Sequence, residues 1–94
     1  MRQTAHFRRF SSTDPIPNDA VRLRIFQDSY KTVAEVEWPT NALTDAGDYF
    51  YATPVEIALE RALDVQQNYK FREMVVVIDD IKLWDETWGV LLTK

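Results

Sequence analysis

The chain has no cysteine, two glycines and one histidine in 94 residues. Each shortage removes a class of chemistry. Without cysteine there is no disulfide, no CxxC redox pair, no iron–sulfur ligation and no thiolate zinc site. His6 alone cannot supply the paired imidazoles of a zinc-protease motif. Glycine stands only at Gly47 and Gly89. A P-loop or GxGxxG turn needs several glycines within a few positions so that backbone amides close on phosphate, and both are therefore excluded. The longest apolar run, Met74 to Ile78, is far short of the roughly 18–20 residues of a membrane span. No cofactor, no metal and no membrane are expected. Residues 1–10 offer no apolar signal core, and the cytoplasm is the expected location. Met1 to Thr13, with its arginines, hydroxyls and no acid, also has the composition of a mitochondrial presequence, the alternative to a frayed arm.

Charge is unevenly placed. Residues 1–24 hold five arginines against Asp14 and Asp19, a net of +3, and the remainder carries −7. An acidic body repels phosphate backbones over a Debye length of about 10 Å. Nucleic-acid contact would therefore rest on Arg2, Arg8 and Arg9, where His6-Phe7-Arg8-Arg9-Phe10 interleaves rings and cations as single-strand binders do. The competing reading is an arm that frays or packs on a neighbouring subunit.

Ser11 to Asp19 carries Pro15 and Pro17 among small polar residues and reads as a linker or an ordered loop. Residues 1–19 are accordingly set apart as a basic arm and linker, and residues 20–94 as one α+β domain. Val21–Phe26 and Thr32–Trp38 alternate apolar with charged residues at the period of half-buried strands. Joined as a hairpin, they place Arg22 opposite Glu37, Leu23 opposite Val36, Arg24 opposite Glu35 and Ile25 opposite Ala34. A one-residue slip would bury the arginines, so the register is well specified.

Pro39 ends the second strand, and a long connection follows to Ala52, with a turn at 45–48 and Tyr49-Phe50-Tyr51 either pinning the loop or lining a pocket. Thr53-Pro54-Val55-Glu56 has the form of a helix start, with Thr53 as N-cap, Pro54 at N1 and Glu56 completing a capping box. Val55, Ala58, Leu59, Ala62, Leu63 and Tyr69 then make an apolar stripe, and the helix is expected to reach Lys70. Met74 to Ile78 is β-branched without alternation, which predicts a central strand. Asp79-Asp80 breaks it and Ile81–Trp84 extends or re-enters the sheet. Residues 85–92 stay open between a helical turn capped by Asp85 and an edge strand.

The carboxylates do not assemble into a catalytic pair. Asp79 and Asp80 point to opposite faces of an extended strand, and Asp85 and Glu86 lie about 100° apart on a helix. Asp79, Asp80 and Asp85 match no Ca²⁺ loop spacing, and no strained elbow accompanies the serines. Trp84, Trp88, Tyr49 and Tyr51 are the candidate interaction residues, because a domain of this size hides limited ring surface and tryptophan is enriched at interface hot spots.

The expected fold is α+β: a hairpin, one amphipathic helix and one or two further strands in a mostly antiparallel sheet, with the helix on one face. The expected function is a small protein-interaction or accessory module acting as a homodimer, its partner a second copy or another protein, in preference to an enzyme. Single-stranded nucleic-acid binding through the basic arm is one alternative, and a carboxylate-based enzyme is another.

Overall fold

The computed structural model describes residues 5–92, and for residues 49–51 only the backbone. In chain order the elements are β1 (His6–Phe10), β2 (Ala20–Asp28), β3 (Lys31–Trp38), β4 (Gly47–Pro54), α1 (Val55–Asn68), β5 (Glu73–Ile78), two 3₁₀ turns (Ile81–Leu83 and Glu86–Trp88) and β6 (Val90–Leu92). The strands form one six-stranded sheet in the order β4-β3-β2-β5-β1-β6. The α+β class holds, but the sheet is mixed rather than mostly antiparallel, and four strands rather than one or two accompany the hairpin. Only β2–β3 and β3–β4 are antiparallel, while β2–β5, β5–β1 and β1–β6 are parallel. A hairpin leaves a short-range signature in sequence. A parallel pair such as Ala20 with Glu73 joins distant segments and leaves none.

The hairpin forms in the expected register, Arg22 opposite Glu37 through Ile25 opposite Ala34, and closes on a two-residue loop between Asp28 and Lys31. Its ion pairs do not simply follow the opposed positions. Glu37 receives Arg22 at 3.7 Å and Arg24 at 3.1 Å, so Arg24 reaches the diagonal acid rather than Glu35 opposite it. Diagonal neighbours are within range of so long a side chain, and each such half-exposed pair contributes about 0.2–1 kcal/mol.

Strand β5 organises the rest. The expected free arm is instead partly β1, inserted between β5 and β6 with Arg9 beside Val76 and Phe7 beside Leu91. Phe7 turns inward and is 5% exposed, which anchors a segment that its arginines had marked as solvent-facing. Met74, Val76 and Ile78 share the face of Val21, Leu23, Ile25 and Phe7, and α1 packs on that side. Val75 and Val77 point to the opposite face, yet are 0% and 3% exposed.

The connection from β1 to β2 accounts for that second burial. Ser12 donates through its amide (2.7 Å) and hydroxyl (2.8 Å) to Asp79, just past the end of β5. At the other end the Asp19 carbonyl accepts from the Arg72 amide, 3.1 Å, just before β5 begins. Residues 12–19 therefore run back along β5, with a turn at 11–14, where the Asp14 amide bonds the Ser11 carbonyl at 3.2 Å, and another at 18–19. Pro15 and Pro17 suit an extended segment that owes no hydrogen bonds to a ladder. A right-handed crossover from β1 to β2 lies on the face opposite α1, and there this strap covers Val75 and Val77.

Helix α1 buries Val55, Ala58, Ala62 and Val65, the last of these outside the expected stripe. Its start is corrected by the sheet. Thr53 and Pro54 pair with Ala34 and Val33 as the end of β4, so Pro54 becomes the N-cap and no side chain caps the helix. Its end comes at Asn68, where Lys70 turns to φ +54° and the Phe71 amide bonds the Gln66 carbonyl at 3.0 Å, a Schellman closure. Both glycines stand at close approaches. A Cβ at Gly47 would lie 2.4 Å from the Trp38 ring packed across it, and one at Gly89, whose φ is +136°, would lie 2.8 Å from the Ala5 carbonyl and the Phe7 ring.

Two substitutions follow with opposite signs. Lys70→Gly removes the left-handed penalty of a side chain and is expected to raise stability by about 1 kcal/mol in urea unfolding. Gly89→Ala, which adds both strain and a clash with core atoms, is expected to lower it by at least about 2 kcal/mol.

Candidate interaction surface

Beyond β5 the chain makes two successive turns built alike. Asp80 accepts from the Lys82 amide at 3.0 Å, and Asp85 accepts from the Thr87 amide at 2.9 Å and its hydroxyl at 2.8 Å. Each aspartate thus caps a single 3₁₀ turn, the local role that competes with longer helix. Residues 85–92 therefore combine both open readings, a capped turn followed by the edge strand β6.

The turns bring Trp84 and Trp88 together edge to face, with centroids 5.3 Å apart, and Trp84 meets Phe7 in the same way at 5.9 Å. Both indole N–H groups are held. Trp84 Nε1 donates to the Gly89 carbonyl at 3.0 Å, and Trp88 Nε1 donates to Glu56 Oε1 at 3.2 Å. Glu56, expected in a capping box, instead ties the start of α1 to the second turn. Both rings are half-buried against the core cluster and line an open depression of about 620 Å³, with Lys82, Asp85, Glu86 and Thr32 around it. It lies just past the carboxyl end of β5, where ligands of parallel sheets commonly sit.

The other candidate residues are elsewhere. Tyr49 and Tyr51 belong to β4, the edge opposite β6, and their side chains lie outside what the structure describes. Arg2 also lies outside the described residues. Arg8 is bonded bidentately to Glu73, its Nε at 3.0 Å, and stacks over Phe10, 5.3 Å from the ring centroid. Arg9 donates to the carbonyls of Ile78 (3.0 Å) and Asp79 (3.2 Å), fastening β1 to the end of β5.

The carboxylates hold structure. The Ser12 amide and hydroxyl hold the Asp79 carboxyl below the ordinary aspartate range, with Arg9 and Arg24 adding to the effect. Thr87 does the same for Asp85. Both are therefore ionised acceptors rather than proton donors near neutrality. Among the described residues no three His, Cys, Asp or Glu side chains gather in a metal-binding group. No described helix is long and apolar enough to cross a membrane. The Ser12–Asp79 clamp and the Glu56–Trp88 bond had no signal in the sequence, since each joins residues more than 30 positions apart. The chain matches no family profile, no curated protein and no solved structure.

The clamp sets a pH dependence. A carboxyl whose folded value is depressed contributes stability that is present above its unfolded value and is lost as pH falls through the folded one. Asp79→Asn is therefore expected to be less stable than the parent at neutral pH. The deficit should shrink toward zero once both chains are measured in acid below the depressed value. Urea unfolding at a series of pH values checks this, and a deficit independent of pH would contradict it.

Proposed function

We propose that the chain is a protein-interaction module that self-associates through the outer edge of β6. The observation that carries this reading is the contrast between the two edges of the sheet. The β4 edge carries Asp48, ends on Pro54 and is broken by a register shift opposite Ala34 to Val36, features that discourage a further strand. The β6 edge, Val90-Leu91-Leu92, has no proline, charge or bulge among the described residues.

Its geometry suits a second copy. The Val90 amide bonds the Ala5 carbonyl at 2.8 Å, so by alternation along the strand the Leu91 N–H and C=O point outward. An antiparallel pair centred on Leu91 sets each Leu91 against its symmetry mate as a hydrogen-bonded pair and Val90 against Leu92 of the other copy. Val90 and Leu92, 40% and 47% exposed, then cover one another. A three-residue ladder is short, so the dimer is reversible rather than obligate.

Arg8 and Arg9 are engaged by Glu73 and by backbone carbonyls, which leaves the nucleic-acid alternative without a supporting observation. Sedimentation velocity is expected to show a monomer–dimer equilibrium that shifts on dilution. The double variant V90K/L92K should sediment as a monomer with unchanged circular dichroism, while Ile57→Lys, on the exposed side of α1, should dimerise as the parent does. A parent chain that stays monomeric at high concentration would sink the proposal.

A further inference from the structure

We infer that the depression between the two 3₁₀ turns is a binding site for a cationic side chain, arginine or lysine, in an exposed basic segment of a partner protein. Its walls and its charge point to the same ligand chemistry. Trp84 and Trp88 are fixed by their mutual edge-to-face contact and by N–H bonds to Gly89 and Glu56, so ring surface is presented without the entropy of ordering it on binding. An aromatic face attracts a guanidinium or ammonium group, most strongly when that face belongs to tryptophan.

The charge at the rim is the second observation. Residues 79–88 carry four carboxylates against Lys82 alone. Asp79 is turned to Ser12, and the Asp80 carboxylate caps the first turn. Asp85 and Glu86 line the depression and form no ion pair among the described residues. Thr87 holds the Asp85 carboxyl below the ordinary aspartate range, so it carries its charge near neutrality. Two negative charges without an ion-pair partner among the described residues, beside two immobilised indoles, complement a cation flanked by apolar methylenes, which is the shape of an arginine or lysine side chain. The acidic body of the chain, −7 over residues 25–94, adds long-range attraction for a basic partner.

The probe is the capped peptide Gly-Arg-Gly-Arg-Gly, titrated by calorimetry and by tryptophan fluorescence at low and at physiological salt. Saturable binding with a fluorescence change is expected, weakening as salt rises. The isosteric citrulline peptide, which lacks the charge, is expected to bind at least about tenfold more weakly. D85N/E86Q keeps the turn-capping oxygen of residue 85 and removes both charges, and it should lose about tenfold in affinity with an unchanged fold. E60Q/D64N removes two charges from the exposed face of α1 and should bind as the parent does. Lys82→Gln should bind a few-fold more tightly. Binding that is absent at low salt, equal for the citrulline peptide, or lowered as much by E60Q/D64N as by D85N/E86Q would overturn the inference. Repeating the titration on V90K/L92K separates this site from self-association, because the inference requires binding to persist in the monomer.

Discussion

Strand β5 imposes the constraint on which the rest of the structure depends. Met74 to Ile78 is apolar on both sides, and its two edges are taken by parallel neighbours, β2 and β1. Parallel neighbours cannot be joined by tight turns, so each requires a connection long enough to cross the sheet, and right-handedness decides which face it crosses. The crossover from β4 to β5 is α1, and the one from β5 to β6 is the pair of 3₁₀ turns. Both move in the same direction along the sheet and lie on one face. The crossover from β1 to β2 moves the other way and becomes the proline-bearing strap on the opposite face. One buried strand thus accounts for a helix, two turns and a strap.

Electrostatics then fasten the ends of that assembly. At the start of β5, Glu73 receives Arg8 from β1 and Arg72 from its own side, while Asp19 at the mouth of β2 receives Arg72 as well. At its far end, Asp79 holds the strap through Ser12 and its carbonyl accepts from Arg9. These contacts are solvent-exposed and individually weak. Their value lies in position, since they join β1 and the segment up to Asp19 to the body at both ends of the central strand. Part of the basic excess of the early chain and the acidic excess of the later chain are complementary halves of one internal network.

The hairpin and its register were legible because two faces, one apolar and one charged, both demanded a single alignment, although the turn of Arg24 toward Glu37 was not. The central strand was legible from its unbroken β-branched run. The capping-box signature of Thr53 to Glu56 misled by one residue at the start of the helix. Local hydrogen bonding offered a cap, but the β3 ladder took Thr53 and Pro54, and Glu56 found Trp88. The basic character of His6 to Phe10 likewise concealed a strand, because Phe7 alone faces the core while Arg8 and Arg9 find acceptors distant in sequence. Trp84 and Trp88 were identifiable as a pair by spacing and by the aspartates that punctuate the turns. That Trp84 packs on Phe7, that Trp88 bonds Glu56 and that Thr32 joins the lining was not, since those three residues come from other elements.

By itself the sequence determined the α+β class, the hairpin and its register, the apolar central strand, and the exclusion of glycine-loop nucleotide sites and thiol chemistry. These rest on periodicity and on residue types that are present or missing, and no folding is needed to read them. The tertiary structure alone decided the parallel pairings, the insertion of β1, the face taken by the strap and the bond that ties Trp88 to Glu56. Each of those depends on contacts between segments tens of residues apart. Such contacts are selected by which faces of β5 remained to be covered, and no local pattern encodes that choice.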